Sequence, residues 1–311
     1  MLTYLKNFVE LRTKVASVIP FFYVLTIYLY AFSDYDFNLS TAIIFFISMV
    51  SLDMATTALN HLAGFNKEEN ISKYDQGLLK QMEALGITNT FNKIVLALLV
   101  IVGISLGLYL ALTTSLLVVL VGAACVFVAI VYSYGPVPIK NTCLGELASG
   151  ITMGALIPIA FILTQDSSVL ISINSLSDIT LDYTNIFSWA VILSVPVLVI
   201  ANIMLANNIC DIDKDTDNGR KTLAIILGKT TSQKLWQFIY LLSYMLIIVM
   251  IVVKLIPTIA ILTLISSYFT FKNSSKFTTN SVKHLTFKYA VFNLQIVLIP
   301  VIVISALGVI I

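Results

Sequence analysis

The chain has 311 residues, of which 59% are hydrophobic and 11% charged, and its formal net charge is +2. A soluble globular domain carries about 25% charged residues, and here the apolar residues fall in separated blocks of membrane-spanning length rather than in one core. The basic residues lie beside those blocks and not along a stripe, which speaks against a nucleic-acid partner, and Cys125, Cys143 and Cys210 lie in or near the blocks without implying a disulfide framework.

In chain order, Lys6, Glu10, Arg12 and Lys14 precede the first apolar run, and no small-residue cleavage site follows it, so it is expected to be a retained first helix. Nine spans are predicted: Ala16–Phe32, Thr41–Leu62, Ile94–Leu112, Leu116–Tyr132, Leu147–Leu163, Ile186–Ala206, Leu235–Val253, Pro257–Phe271 and Tyr289–Ile310. The eighth is short and is expected to be partly irregular. With the N-terminus inside, every Lys and Arg except Lys254 falls on the inner side, a one-sidedness that supports this orientation and the odd number of spans. The outer loop Thr164–Asn185 is rich in Ser, Thr and Asn, with Asp166, Asp178 and Asp182 and no base. The expectation is an all-α, polytopic membrane protein forming one domain over residues 1–311. It lies in the cell membrane with its N-terminus cytoplasmic and its C-terminus outside.

The inner loops carry the chemistry. The first of note runs from Asn60 to Lys93 and holds His61, Lys67, Glu68, Glu69, Asn70 and Asp75. The second holds Tyr134-Gly135-Pro136-Val137-Pro138, Lys140 and Glu146. The third runs from Asn207 to Thr222, where Asp211, Asp213, Asp215 and Asp217 gather four of the chain's 16 acidic residues. Asp211 and Asp215 are spaced i, i+4 and share a helix face with Asn207 one turn earlier. Like charges this close repel unless a cation lies between them. Hard oxygen ligands suit Mg2+, which takes one or two carboxylates plus substrate phosphates. Asp213 and Asp217 form a second pair rotated away from the first. A solvated acidic helix end is the competing reading. An EF-hand loop fits poorly, because its glycine and terminal glutamate are missing from the required positions. Glu146 and Asp53 are expensive to bury at or in a span, which makes them functional candidates, with an interfacial cap and a helix–helix contact as the respective rivals.

The pattern Asn207-Asn208-x-x-Asp211-x-x-x-Asp215, followed by Asn218-Gly219-Arg220-Lys221-Thr222-Leu223-Ala224, resembles the second aspartate-rich motif of the UbiA superfamily of intramembrane prenyltransferases. It is most similar to the menaquinone branch, the 1,4-dihydroxy-2-naphthoate polyprenyltransferases. Glu10–Ser17, Asp53–Asn60, Tyr134–Pro138, Leu144–Leu147 and Met153-Gly154 resemble other stretches of that branch. The resemblance implies nine helices around a central cavity. It also implies Mg2+-dependent transfer of a polyprenyl chain from its diphosphate to an aromatic acceptor such as dihydroxynaphthoate. Asp211 and Asp215 would hold Mg2+, joined by Asn60 and Asn207. Asn208, Arg220, Lys221, Lys67, Lys140 and Tyr134 would bind the substrates. The chain departs from the family at its first motif. Gly64 and Asn70 stand where aspartates are usual, with Glu68, Glu69 and Asp75 nearby, and Cys210 replaces a frequent basic residue. A divergent acceptor or a non-catalytic prenyl-lipid-binding protein is therefore the alternative. A transporter is disfavoured, because few charges lie within spans and no repeat suggests paired broken helices.

Overall fold

A computed structural model of the protein describes residues 1–65, 73–133, 135–175 and 178–310. The helices, in order, are α1 (Leu2–Phe8), α2 (Val15–Ala31), α3 (Leu39–Phe65), α4 (Lys73–Leu85), α5 (Asn89–Thr113), α6 (Leu117–Ser133), α7 (Gly145–Ile151) and α8 (Ile157–Gln165). After a short hairpin come α9 (Tyr183–Cys210), α10 (Ile212–Asp217), α11 (Leu223–Leu227), α12 (Lys229–Val252), α13 (Ser266–Thr279), α14 (Lys283–Thr286) and α15 (Lys288–Ile310). Among the described residues, seven helical stretches are long and apolar enough to cross a membrane: Leu11–Ala31, Leu39–Phe65, Asn89–Thr113, Gly145–Gln165, Tyr183–Cys210, Lys229–Val252 and Lys283–Ile310. The protein is thus an all-α polytopic membrane protein. The fourth predicted span is the shorter apolar helix α6. The eighth is irregular as expected, with a 3-10 stretch over Thr258–Ile265 leading into α13.

Two local features differ from the sequence-based expectation. The outer loop carries strands β1 (Ile171–Ser175) and β2 (Asp178–Leu181), paired antiparallel with Ile171 opposite Leu181. The pair is too short to show a clear alternating pattern in sequence. At the other end, α1 and α4 form a small cap in which Tyr4, Phe8, Leu78 and Met82 pack with Ala58 and Leu62 of α3. The Tyr4 hydroxyl donates to Asn92 Oδ1 at 2.9 Å.

The bundle is built around α9, whose most apolar window is 61% buried inside the protein, against 17% for α5. Side-chain pairs give the helix directions. Phe32 at the end of α2 stacks on Trp189 near the start of α9, with ring centroids 4.6 Å apart, so α2 and α9 run antiparallel. Lys14, just before α2, reaches Asp53 of α3, while Tyr28 near the end of α2 donates to the Asp36 carbonyl ahead of α3; these two helices are antiparallel as well. Glu146 at the start of α7 meets Asn208 near the end of α9. The end of α3, the start of α7 and the end of α9 therefore share one end of the bundle. The hairpin, Tyr35 and Asp182 lie at the other, where Asn185 donates to the Tyr35 hydroxyl.

Asp53 is explained here as a helix–helix contact. Lys14, whose side chain is 6% exposed, donates to Asp53 Oδ1 and Thr57 Oγ1, both at 2.7 Å, and Ser17 donates to Asp53 Oδ2 at 2.5 Å. Both charges are fully hydrogen-bonded, the condition under which a buried pair is tolerated. Lys14→Met leaves the Asp53 carboxylate stranded and is expected to cost about 3–5 kcal/mol, read as a lowered thermal midpoint in detergent. Lys14→Met combined with Asp53→Leu should recover much of the loss.

Candidate functional site

The acidic run forms a corner at the polar end of α9. The last turn of α9 closes as the Asp211 amide donates to both the Asn207 and Asn208 carbonyls, at 3.1 and 3.2 Å. The chain then bends at Asp211 into α10. The Asp215 amide donates to the Asp211 carbonyl at 2.8 Å, so the i, i+4 relation survives the bend. α10 stops at Gly219, whose φ of +66° allows the left-handed turn. The Gly219 amide donates to Thr216 and the Arg220 amide to Asp215, a paired closure that satisfies the last carbonyls. This reversal brings the Arg220 guanidinium back over its own helix, where Nη1 donates to Asp215 Oδ1 at 2.8 Å. Asp213 and Asp217 are exposed, as their offset from the first pair predicts.

Glu146 reaches this corner because α7 approaches α9 very closely. A Cβ on Gly150 would lie 2.6 Å from the Val197 carbonyl oxygen, and one on Gly154 would lie 2.5 Å from the Val197 amide nitrogen. The helix also widens to a π-turn over Thr152–Leu156, a feature frequent at functional sites. Asn208 then donates from Nδ2 to Glu146 Oε1 at 2.8 Å, which leaves the Asn208 amide oxygen turned away from Glu146. The preceding loop is tied in by the Lys221 amide, which donates to the Asn141 carbonyl at 2.8 Å.

Asp215 is 1% exposed and Glu146 4%. Within the described residues, four buried polar atoms on these joined segments have no hydrogen-bond partner: Asp215 Oδ2, Glu146 Oε2, Asn141 Oδ1 and Thr222 Oγ1. Burial pushes the Asp215 carboxyl above the ordinary carboxylate range; the Arg220 guanidinium pulls it partly back and Asp211 adds to the rise. A carboxylate in this state is suited to a cation. Asp211 is paired with Lys283 through Oδ2, a partner 72 residues away that the sequence reading counted only as an inner-side base. Among the described residues no group of three His, Cys, Asp or Glu side chains forms a ready metal cage. Mg2+ keeps few protein ligands and completes its shell with water and substrate phosphates, and the hard carboxylate oxygens of Asp211 and Asp215 are donors of the kind it takes.

The other expected residues are distributed as follows. Asn207 is half-buried in the last turn of α9, and Asn60 is exposed near the end of α3, at the same end of the bundle. Arg220 is engaged with Asp215. Lys221 is exposed, and Lys140 is half-buried in the 3-10 turn Ile139–Asn141. Lys67 and Tyr134 lie outside the described residues, as do Glu68, Glu69 and Asn70. His61 is buried, with Asp75 Oδ1 2.6 Å from Nδ1 and Glu10 Oε1 3.1 Å from Nε2. Below the polar end, Ser17, Phe21, Val24, Phe45, Met153 and Phe161 meet in a closely packed apolar junction of α2, α3, the π-turn and α8, too tight to admit a water molecule.

Glu146→Gln retains an acceptor for Asn208 and removes the partnerless carboxylate oxygen. It is expected to leave stability unchanged and to lower turnover by about 10–100-fold, the usual cost of losing a group that orients a site. Paired melting curves and turnover measurements check this.

The sequence profile of the UbiA prenyltransferase family matches residues 17–297. Over 129 residues the chain is 35% identical to the 1,4-dihydroxy-2-naphthoate octaprenyltransferase of Bacillus subtilis (strain 168), a stretch that takes in 41% of this chain and 36% of that protein. A UbiA homologue from Aeropyrum pernix K1, solved in its apo form, has a TM-score of 0.62 at 18% identity, covering 96% of this chain and 97% of that one. A UbiA homologue from Archaeoglobus fulgidus, bound to GPP and Mg2+, has a TM-score of 0.55 at 11% identity, covering 99% and 97%. At these identities the likeness to the two archaeal proteins is one of fold.

Proposed function

We propose that this chain, which belongs to the UbiA prenyltransferase family, transfers a polyprenyl group from its diphosphate to 1,4-dihydroxy-2-naphthoate in a menaquinone-type pathway. The enzyme class follows from family membership. The acceptor is supported by the Bacillus subtilis relative and by the motifs shared with that branch. The observation that carries the reading is the buried, half-satisfied carboxylate of Asp215 beside Asp211, Arg220 and Lys283. Mg2+ held by Asp211 and Asp215 would neutralise the diphosphate and act as a Lewis acid on it. Asn207 and Asn60 would complete the metal and phosphate contacts. Arg220 and Lys283 have side chains 36% and 49% exposed, so their charges also face the open side, where diphosphate oxygens would lie. Lys221 and Lys140 would add to that charge, and Asn208, oriented by Glu146, would contact substrate.

The apolar junction beneath, opened by helix movement, would receive the prenyl chain in a central cavity and keep the allylic centre from water. The full reading has nine spans, the N-terminus in the cytoplasm and the C-terminus outside. Purified protein in lipid, given a polyprenyl diphosphate, Mg2+ and a panel of acceptors, tests it. Product with dihydroxynaphthoate supports the reading. Product only with other phenols would move the chain to a divergent acceptor, the reading that Gly64 in the first motif favours. Bound prenyl diphosphate with no product from any acceptor would make it a lipid-binding relative.

A further inference from the structure

We propose that Asp75 supplies from α4 the carboxylate that α3 lacks at Gly64, so that the diphosphate–Mg2+ site is completed by the cap helix rather than by a spanning helix. This rests on the reading of the site given above. Asn60 and Gly64 are one turn apart at the end of α3, as Asn207 and Asp211 are at the end of α9, and the antiparallel packing of α2 against both puts these two ends at the same side of the bundle. A Cβ on residue 64 would lie 2.8 Å from Asp75 Oδ2 and 3.2 Å from Asp75 Cγ. The Asp75 carboxyl group thus occupies the space where a side chain at position 64 would begin. Alanine would collide there, and an aspartate would bring a second negative charge into the same spot.

The carboxylate is held in place. Asp75 is 9% exposed. Its Oδ1 lies 2.6 Å from His61 Nδ1, Glu10 faces the opposite ring nitrogen, and the Tyr74 ring stacks on His61 at 5.3 Å. α4 itself is fixed by Leu78 and Met82 against Tyr4 and Phe8. A rigid, braced carboxylate is what an orienting ligand requires, and the partner that braces a ligand is part of its function. Glu10 and His61 are accordingly positioning residues, and Asp75 takes the role that a spanning-helix residue 64 would otherwise fill.

The test moves the carboxylate back to α3. Binding of inorganic pyrophosphate is measured as a function of Mg2+ for wild type, Asp75→Ala, Asp75→Asn, Gly64→Asp, the double variant Gly64→Asp/Asp75→Ala, and Asp215→Asn. Asp75→Ala and Asp75→Asn are expected to raise the Mg2+ needed for half-saturation by about tenfold or more. Asp75→Asn keeps the side-chain volume and a hydrogen-bonding group toward His61, so it reports on charge even where Asp75→Ala disturbs the cap. Gly64→Asp alone should bind no better than Asp75→Ala. The double variant should return to within about threefold of wild type, well inside the range expected for loss of a ligand-orienting group. The proposal is overturned if Asp75→Asn binds like wild type, or if the folded double variant is no better than Asp75→Ala. Loss of binding in Asp215→Asn together with wild-type behaviour of both Asp75 variants rejects Asp75 alone. Absence of Mg2+-dependent binding in the wild type rejects the site itself.

Discussion

Replacing Asp215 with asparagine will abolish prenyl transfer and leave the Mg2+-free protein at least as stable as the wild type. The two effects have opposite signs because the carboxylate is buried for a ligand rather than for the fold. It is 1% exposed, Oδ2 has no donor among the described residues, and burial outweighs the Arg220 guanidinium in setting its affinity for a proton. An acid whose folded-state value is raised costs nothing at low pH, where both states are protonated. Its cost grows as pH rises from the ordinary carboxylate range through the raised value, and persists above it. Metal-free wild type should therefore lose stability over that window, and Asp215→Asn should flatten this limb. Turnover should fall by at least about a thousandfold, equivalent to roughly 4 kcal/mol of transition-state stabilisation. Melting curves in detergent with chelator and with Mg2+, beside turnover, measure both. Mg2+ should stabilise the wild type and not the variant.

Gly154→Ala will damage the site from a distance of two helical turns. The added methyl would meet Val197 N, Val197 Cα and Pro196 C at 2.5, 2.6 and 2.8 Å, all of them backbone atoms of α9 that no rotamer change can move aside. The π-turn must separate from α9, and the start of α7 moves with it, pulling Glu146 from Asn208. Overpacking of this kind costs about 1–3 kcal/mol, and the lost alignment should lower turnover as well. Gly122→Ala is the matched control. Among the described residues nothing lies within 4 Å of a Cβ there, so the exchange on α6 should be neutral or slightly stabilising, alanine being the better helix former. Equal melting temperatures for the two variants would show that the close approach of α7 to α9 is not rigid.

The apolar blocks were legible because a membrane demands long uninterrupted hydropathy, and the positions of the spans follow from it directly. The pairing of Asp211 with Asp215 was legible for a similar reason, since i, i+4 spacing within one segment survives folding. Contacts between segments leave no such trace. Lys283 reaches Asp211 from the start of α14, and nothing in its sequence neighbourhood distinguishes it from Lys272 or Lys276. Glu146 was visible as a costly charge at a span end, but its partner Asn208 was not, because that contact depends on Gly150 and Gly154 letting two helix backbones meet. Asp53 illustrates the opposite outcome: a charge within a span that the fold uses to tie α2 to α3. The cap formed by α1 and α4 escaped notice because each helix buries its apolar face against distant segments, the other cap helix, α3 and the start of α5.

The most direct test of the account is release of inorganic diphosphate from a polyprenyl diphosphate by the purified protein in lipid, with dihydroxynaphthoate present, before and after chelation of Mg2+. Release that requires both Mg2+ and the acceptor and disappears in Asp215→Asn is the predicted result. Release that is indifferent to chelation, or prenyl diphosphate that stays bound and intact with every acceptor, would contradict it.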